Sequence, residues 1–171
     1  GGAGDQREGL GDAHFHGEYP LARLELADPD VPLTAQLRAW NPMIPLNADD
    51  SGIPVALFEW TITNPTDVPF DISLAFSAMN PIGWDGRAWI GGRGAHFFGG
   101  NINEPRDTGD AVGLQMGHTT MDPGDPRWGS IAIAAYGRPV VGRQTHWERA
   151  GWFDDLEGFW RDFREDGALN P

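Results

Sequence analysis

Neither cysteine nor lysine occurs in these 171 residues. Without cysteine there is no disulfide framework, no zinc–thiolate site and no thiol nucleophile. Without lysine, all twelve basic residues are arginine, set against 25 acidic ones for a formal net charge of −13. Such a surface repels phosphate backbones and anionic lipid heads, which argues against nucleic-acid binding and suits neutral ligands. This usage fits GC-rich coding or a salty cytoplasm, and the expected location is cytoplasmic. No apolar run approaches the roughly 18 residues of a membrane span. The opening GGAGDQREGLGD is polar and glycine-rich, unlike a secretory signal. No Met stands at position 1, so the natural start is expected upstream. The nucleophile-elbow, phosphate-loop and dinucleotide fingerprints are also missing, so no cofactor is expected.

What is present argues for a folded domain. Hydrophobic residues make up 40% of the chain, with eight Trp and nine Phe, and the length suits one domain with a core. After a lead-in over 1–14, short alternating runs are separated by turn formers. In 33–39 the apolar residues hold the odd positions. Ala56, Phe58, Trp60 and Ile62 share one face of 54–64. Phe70, Ile72, Leu74, Phe76 and Ala78 do so in 69–79, opposite Asp71, Ser73 and Ser77. These read as half-buried antiparallel strands. The turn Asn64-Pro65-Thr66-Asp67-Val68-Pro69 predicts that the last two form a hairpin. Weaker strand candidates are 20–27, 95–98, 112–117, 129–136 and 139–147, and 82–110 reads as long glycine-rich loops. Seven or eight such strands predict an all-β fold, an antiparallel β-sandwich. The tail differs: Leu156, Phe159, Trp160 and Phe163 fall at i, i+3, i+4 and i+7, one face of an amphipathic helix. Asp154 or Asp155 can cap its start and Asp166-Gly167 can end it.

The candidates for chemistry are few. Asp49 and Asp50 adjoin, so on a strand they would point to opposite faces and could not flank one glycosidic bond; in a turn they are ordinary loop formers. Asp154-Asp155 reads as a helix cap. His14 and His16 have a spacing that metals use, but no carboxylate at a fixed spacing supports it, and a surface strand is the stronger reading; no metal site is expected. Asp122-Pro123-Gly124-Asp125-Pro126 reads as a tight turn. Nothing assigns His96, His118 or His146 to a triad. Trp84 and Trp89, with Asp85 and Arg87 between them, put flat apolar faces beside hydrogen-bonding groups, the surface on which sugar rings stack. Trp84, Asp85 and Trp89 are therefore candidate substrate-binding residues, against the plainer reading that they pack loop on loop.

The run Gly17-Glu18-Tyr19-Pro20-Leu21-Ala22-Arg23, followed by Asn41-Pro42-Met43-Ile44-Pro45-Leu46-Asn47-Ala48-Asp49-Asp50-Ser51 and Pro54-Val55, resembles the N-terminal domain of glycoside hydrolase family 116. That is the family of bile-acid β-glucosidase, the non-lysosomal glucosylceramidase. Gly113-Leu114-Gln115-Met116 and Phe159-Trp160-Arg161-Asp162-Phe163 resemble it too, in order, so the likeness runs over about 15–169. The resemblance implies a partial N-terminal β-sandwich over 15–171, supporting a C-terminal (α/α)6 catalytic domain that lies outside the chain and carries both catalytic carboxylates of a retaining β-glucosidase. No catalytic residue is then expected here. Leu156, Trp160 and Phe163 become the candidate surface for that domain, and the substrate a neutral β-glucoside. The alternative from the residues themselves is a free-standing carbohydrate-binding sandwich.

Overall fold

The computed structural model describes residues 10–84, 99–137, 142–147 and 155–169, with Asp155 and Leu156 as backbone only. Its elements are β1 (Asp12–Glu18), β2 (Leu21–Asp28), β3 (Val31–Trp40), the single-turn α1 (Ala48–Ser51), β4 (Leu57–Thr63), β5 (Asn101–Asp107), β6 (Ala111–His118), β7 (Ile131–Tyr136) and α2 (Asp155–Asp166). The chain is all-β with two antiparallel sheets and one C-terminal helix, the composition expected of the sandwich. Its contacts gather into two compact units, Gly1–Asp71 and Ile72–Pro171.

The first unit is a four-stranded meander, β1-β2-β3-β4. Its register sorts the sequence by face. Ala13, Leu26, Ala35 and Ile62 form one row across all four strands; Phe15, Leu24, Leu37 and Trp60 form the next; Gly17, Ala22, Ala39 and Phe58 a third. The opposite face carries His14, Glu25, Gln36 and Thr61, then His16, Arg23, Arg38 and Glu59. There Arg23 lies 3.3 Å from Glu25, and Arg38 lies 3.7 Å from Glu59. Period-two side-chain direction turns alternation into one apolar and one charged face. His14 and His16 share the charged face of β1 and are exposed, as a surface strand requires. β1 and β2 are joined through a cis Tyr19–Pro20 peptide.

The second unit holds the sheet β5-β6-β7, with β6 central. Ala111 and Met116, both on β6, are the buried hydrophobic side chains among the described residues. β6 and β7 approach so closely that a Cβ at Gly113 would overlap the Ile133 carbonyl oxygen, so only glycine fits there. α2 ends on Gly167, whose φ of 72° lies in the left-handed region and whose N–H donates to the Phe163 carbonyl at 2.9 Å. This is the expected glycine stop.

Among the described residues, seven turns share one closure. The side-chain oxygens of Asp28, Asn64, Asn80, Asp107, Asp122, Asp125 and Asp166 each accept the backbone N–H two residues on, at 2.7–3.0 Å. Such short polar side chains imitate a backbone turn.

Two expectations need correction. The 69–79 run makes no strand among the described residues, so the 54–64/69–79 hairpin does not form. Its turn does form: the Asn64 side-chain amide donates to the Val68 carbonyl at 2.7 Å. But Pro69 has no N–H to give a ladder at the turn's exit, and β4 pairs instead with β3. Conversely, β5 lies inside 82–110, which reads from sequence as loop. Candidate strand 95–98 lies outside the described residues, as do 139–141 of candidate 139–147; the rest of that candidate, 142–147, is not in a strand.

Candidate functional site

In the first unit, 41–55 folds around side-chain hydrogen bonds. Asn47 caps α1, its side-chain oxygen accepting the Asp50 N–H at 3.1 Å, while its amide donates to the Asp50 carboxylate at 2.6 Å. The Ser51 hydroxyl accepts the Ile44 N–H at 2.9 Å and donates to the Ile44 carbonyl at 3.0 Å. Asn41 donates to the Val55 carbonyl at 3.0 Å. Asp49 and Asp50 thus occupy the first turn of a one-turn helix, where negative charge meets the free N–H groups. Leu46, at φ 65°, is the strained residue of the loop and stands fully exposed.

In the second unit, three asparagines tie the loops to β5. The Asn80 side chain, 7% exposed, places its amide within reach of the Ile102 carbonyl (3.2 Å), the Asn103 side-chain oxygen (3.0 Å) and the Gly117 carbonyl (3.0 Å). Asn101 donates to the Ile82 carbonyl at 2.9 Å, and Asn103 to the Thr145 carbonyl at 2.7 Å. The turn at 81–84 is fixed by this network and closed by the Trp84 N–H donating to the Pro81 carbonyl at 3.0 Å.

That turn meets a second one. Gly83 N–H donates to the Arg127 carbonyl at 3.2 Å. Within 122–128 the Asp125 N–H donates to the Asp122 carbonyl and the Trp128 N–H to the Asp125 carbonyl, both at 2.9 Å, which makes this the tight turn expected from its prolines. The Arg127 guanidinium grips the Asp125 carboxylate through Nε at 2.9 Å and through Nη2. Hydrogen bonds from the Arg127 side chain, then its backbone N–H, lower the Asp125 pKa from 3.8 to about 2. Trp84 is 37% exposed and Trp128 49%.

The third cluster is aromatic. Phe159 meets Trp147 edge-on at 5.1 Å, stacks on Phe163 at 5.6 Å and meets Trp160 at 5.0 Å; Trp160 meets Phe163 at 6.2 Å. Trp160 and Phe163, expected to face another domain, are half-buried in this cluster. Among the described residues no three His, Asp or Glu side chains gather to hold a metal, and no helix is long and apolar enough to cross a membrane.

The family model described as beta-glucosidase 2, glycosyl-hydrolase family 116 N-term, matches residues 4–171. The chain belongs to glycosyl-hydrolase family 116, as its N-terminal domain. The family 116 resemblance read from the sequence is thereby established, and its stretches take physical form. Tyr19-Pro20 is the cis turn, 44–51 the capped loop, Gly113 the close approach of two strands. Of the candidate sugar-binding residues, the family 116 structure places Trp84 beside the 122–128 turn, whereas Asp85 and Trp89 lie outside the described residues, as does the Leu156 side chain. Sequence reasoning missed Trp128 and the asparagines. The proximity of residues 83 and 127 is long-range, and no local pattern carries it.

Proposed function

We propose that this chain is the non-catalytic N-terminal sandwich of a retaining β-glucosidase of the glucosylceramidase type, supporting a C-terminal (α/α)6 catalytic domain of the same cytoplasmic protein. The family match over 4–171 carries the reading. The site chemistry supports it: Asp49 and Asp50 occupy the first turn of a helix capped by Asn47, and Asp125 is shifted down, whereas the acid of a glycosidase pair needs an environment that shifts it up. The two carboxylates then come from the helical domain, one forming the covalent glycosyl-enzyme and the other acting as acid and base. Leu156, Trp160 and Phe163 supply apolar surface toward that domain, and the substrate is a neutral β-glucoside.

The test is hydrolysis of p-nitrophenyl-β-glucoside by the purified 171-residue chain and by the same chain extended through its downstream reading frame. Activity in the extended protein alone is the expected result. Activity in the short chain, abolished by Asp49→Asn, would overturn the assignment. Silence in both, with sugar binding retained, would favour the free-standing carbohydrate-binding module, a reading that rests on the exposed Trp84 together with Asp85 and Trp89.

A further inference from the structure

We propose that the joined turns 81–84 and 122–128 form a binding site for a neutral β-linked glucoside, with Trp84 and Trp128 as its stacking faces. The sugar class rests on the family reading; the site itself rests on geometry.

Three observations carry it. First, the Gly83–Arg127 hydrogen bond brings the two tryptophans together from 44 residues apart in the chain. Standard backbone dimensions then hold their Cα atoms within about 11 Å of each other, the span of one or two sugar rings. Secondly, Trp84 and Trp128 are 37% and 49% exposed as whole residues, whereas tryptophan is on average highly buried. An indole face matches the C–H face of a pyranose, and its edge leaves an N–H donor. Thirdly, the frame is preorganised. Asn80 and Asn101 fix one turn, and the Arg127–Asp125 pair with the Asp122 closure fixes the other. Little ordering entropy is then left to oppose binding. Asp122 and Asp125 add carboxylate acceptors for ring hydroxyls, since each can accept more than one hydrogen bond. The net charge of −13 favours a neutral ligand over an anionic one.

Neither Trp128 nor the 122–128 turn belongs to the candidate trio Trp84, Asp85 and Trp89. The inference therefore moves the predicted platform onto a different partner segment.

The experiment is calorimetric titration of the 171-residue chain with cellobiose and, separately, with sorbitol, which has the hydroxyls but no ring face. Millimolar cellobiose binding with none for sorbitol is expected. Trp84→Ala and Trp128→Ala should each weaken cellobiose binding roughly tenfold, the scale of one lost aromatic stacking contact, whereas Trp128→Phe should keep most of it. Circular dichroism checks that each variant is folded; should Trp84→Ala unfold, the two variants at the more exposed Trp128 decide alone. No cellobiose binding, equal binding by Trp128→Ala, or equal binding of sorbitol would each overturn the proposal. These readouts need no hydrolysis, so an inactive extended protein would refute the enzyme reading and leave this site standing.

Discussion

Replacing Gly167 by alanine should destabilise the second unit by about 2–3 kcal/mol, from two separable causes. The first is backbone. At φ 72° the residue sits in the left-handed region, where a Cβ costs roughly 1–2 kcal/mol. The second is contact. A Cβ there would overlap the Ser73 hydroxyl and lie 3.1 Å from the Ser73 Cβ. The hydroxyl can swing aside, but an off-rotamer Ser73 costs about 0.5–1.5 kcal/mol. The cause is therefore resolved by a double-mutant cycle with Ser73→Ala, which alone should be close to neutral. In that background Gly167→Ala should recover about 1 kcal/mol, the contact part, and keep the backbone part. Urea unfolding followed by tryptophan fluorescence reads all four proteins, provided the m-value is unchanged. A loss below about 0.5 kcal/mol, or strict additivity with Ser73→Ala, would refute the reasoning. The result bears on the proposed function, because Gly167 ends the helix whose aromatic face we propose to meet the catalytic domain.

Further outcomes follow from the same contacts. Asn80→Ala strips hydrogen-bond partners from the Ile102 and Gly117 carbonyls and the Ile82 N–H; it should cost about 2–4 kcal/mol in urea unfolding and speed amide exchange at Ile82. Asp125 gives a pH signature. Its folded pKa of about 2 lies below the ordinary 3.8, so its contribution to stability is whole above about pH 4 and is lost as pH falls through about 2. Arg127→Gln should flatten the acid limb of the stability profile in that window; an unchanged limb would show that the pair contributes nothing.

Strands β2, β3, β4, β6 and β7 were legible because a sheet with one apolar face writes period two into the chain. Leu37 and Trp60 announce the face on which they are neighbours in register. β5 was hidden because NINEPRD carries almost no apolar signal: Asn101 and Asn103 spend their side chains on loop carbonyls, and Pro105 reads as a breaker. The 69–79 run shows the converse failure. Alternation in Phe70, Ile72, Leu74 and Phe76 reports which side chains share a face, and is silent on whether a neighbouring strand supplies hydrogen bonds. The helix and its stop were readable, since a 3.6 period and a terminal glycine are local signals. The tryptophan pair was only half readable: Trp84 stood out in a glycine-rich segment, but nothing local links it to Trp128.

The repeated turn closure bears on which exchanges this chain tolerates. Five of the seven closing side chains are aspartates: Asp28, Asp107, Asp122, Asp125 and Asp166. Each reaches its own i+2 amide because a single methylene separates carboxylate from backbone. Glutamate keeps the charge and adds a methylene, which moves the oxygens past that amide. At these places acidity is tied to side-chain length, and a swap that leaves the net charge untouched would loosen the turn. Asparagine, which surrenders the charge, would hold it. Scoring this protein's variants by charge alone would therefore rank those two replacements in the wrong order.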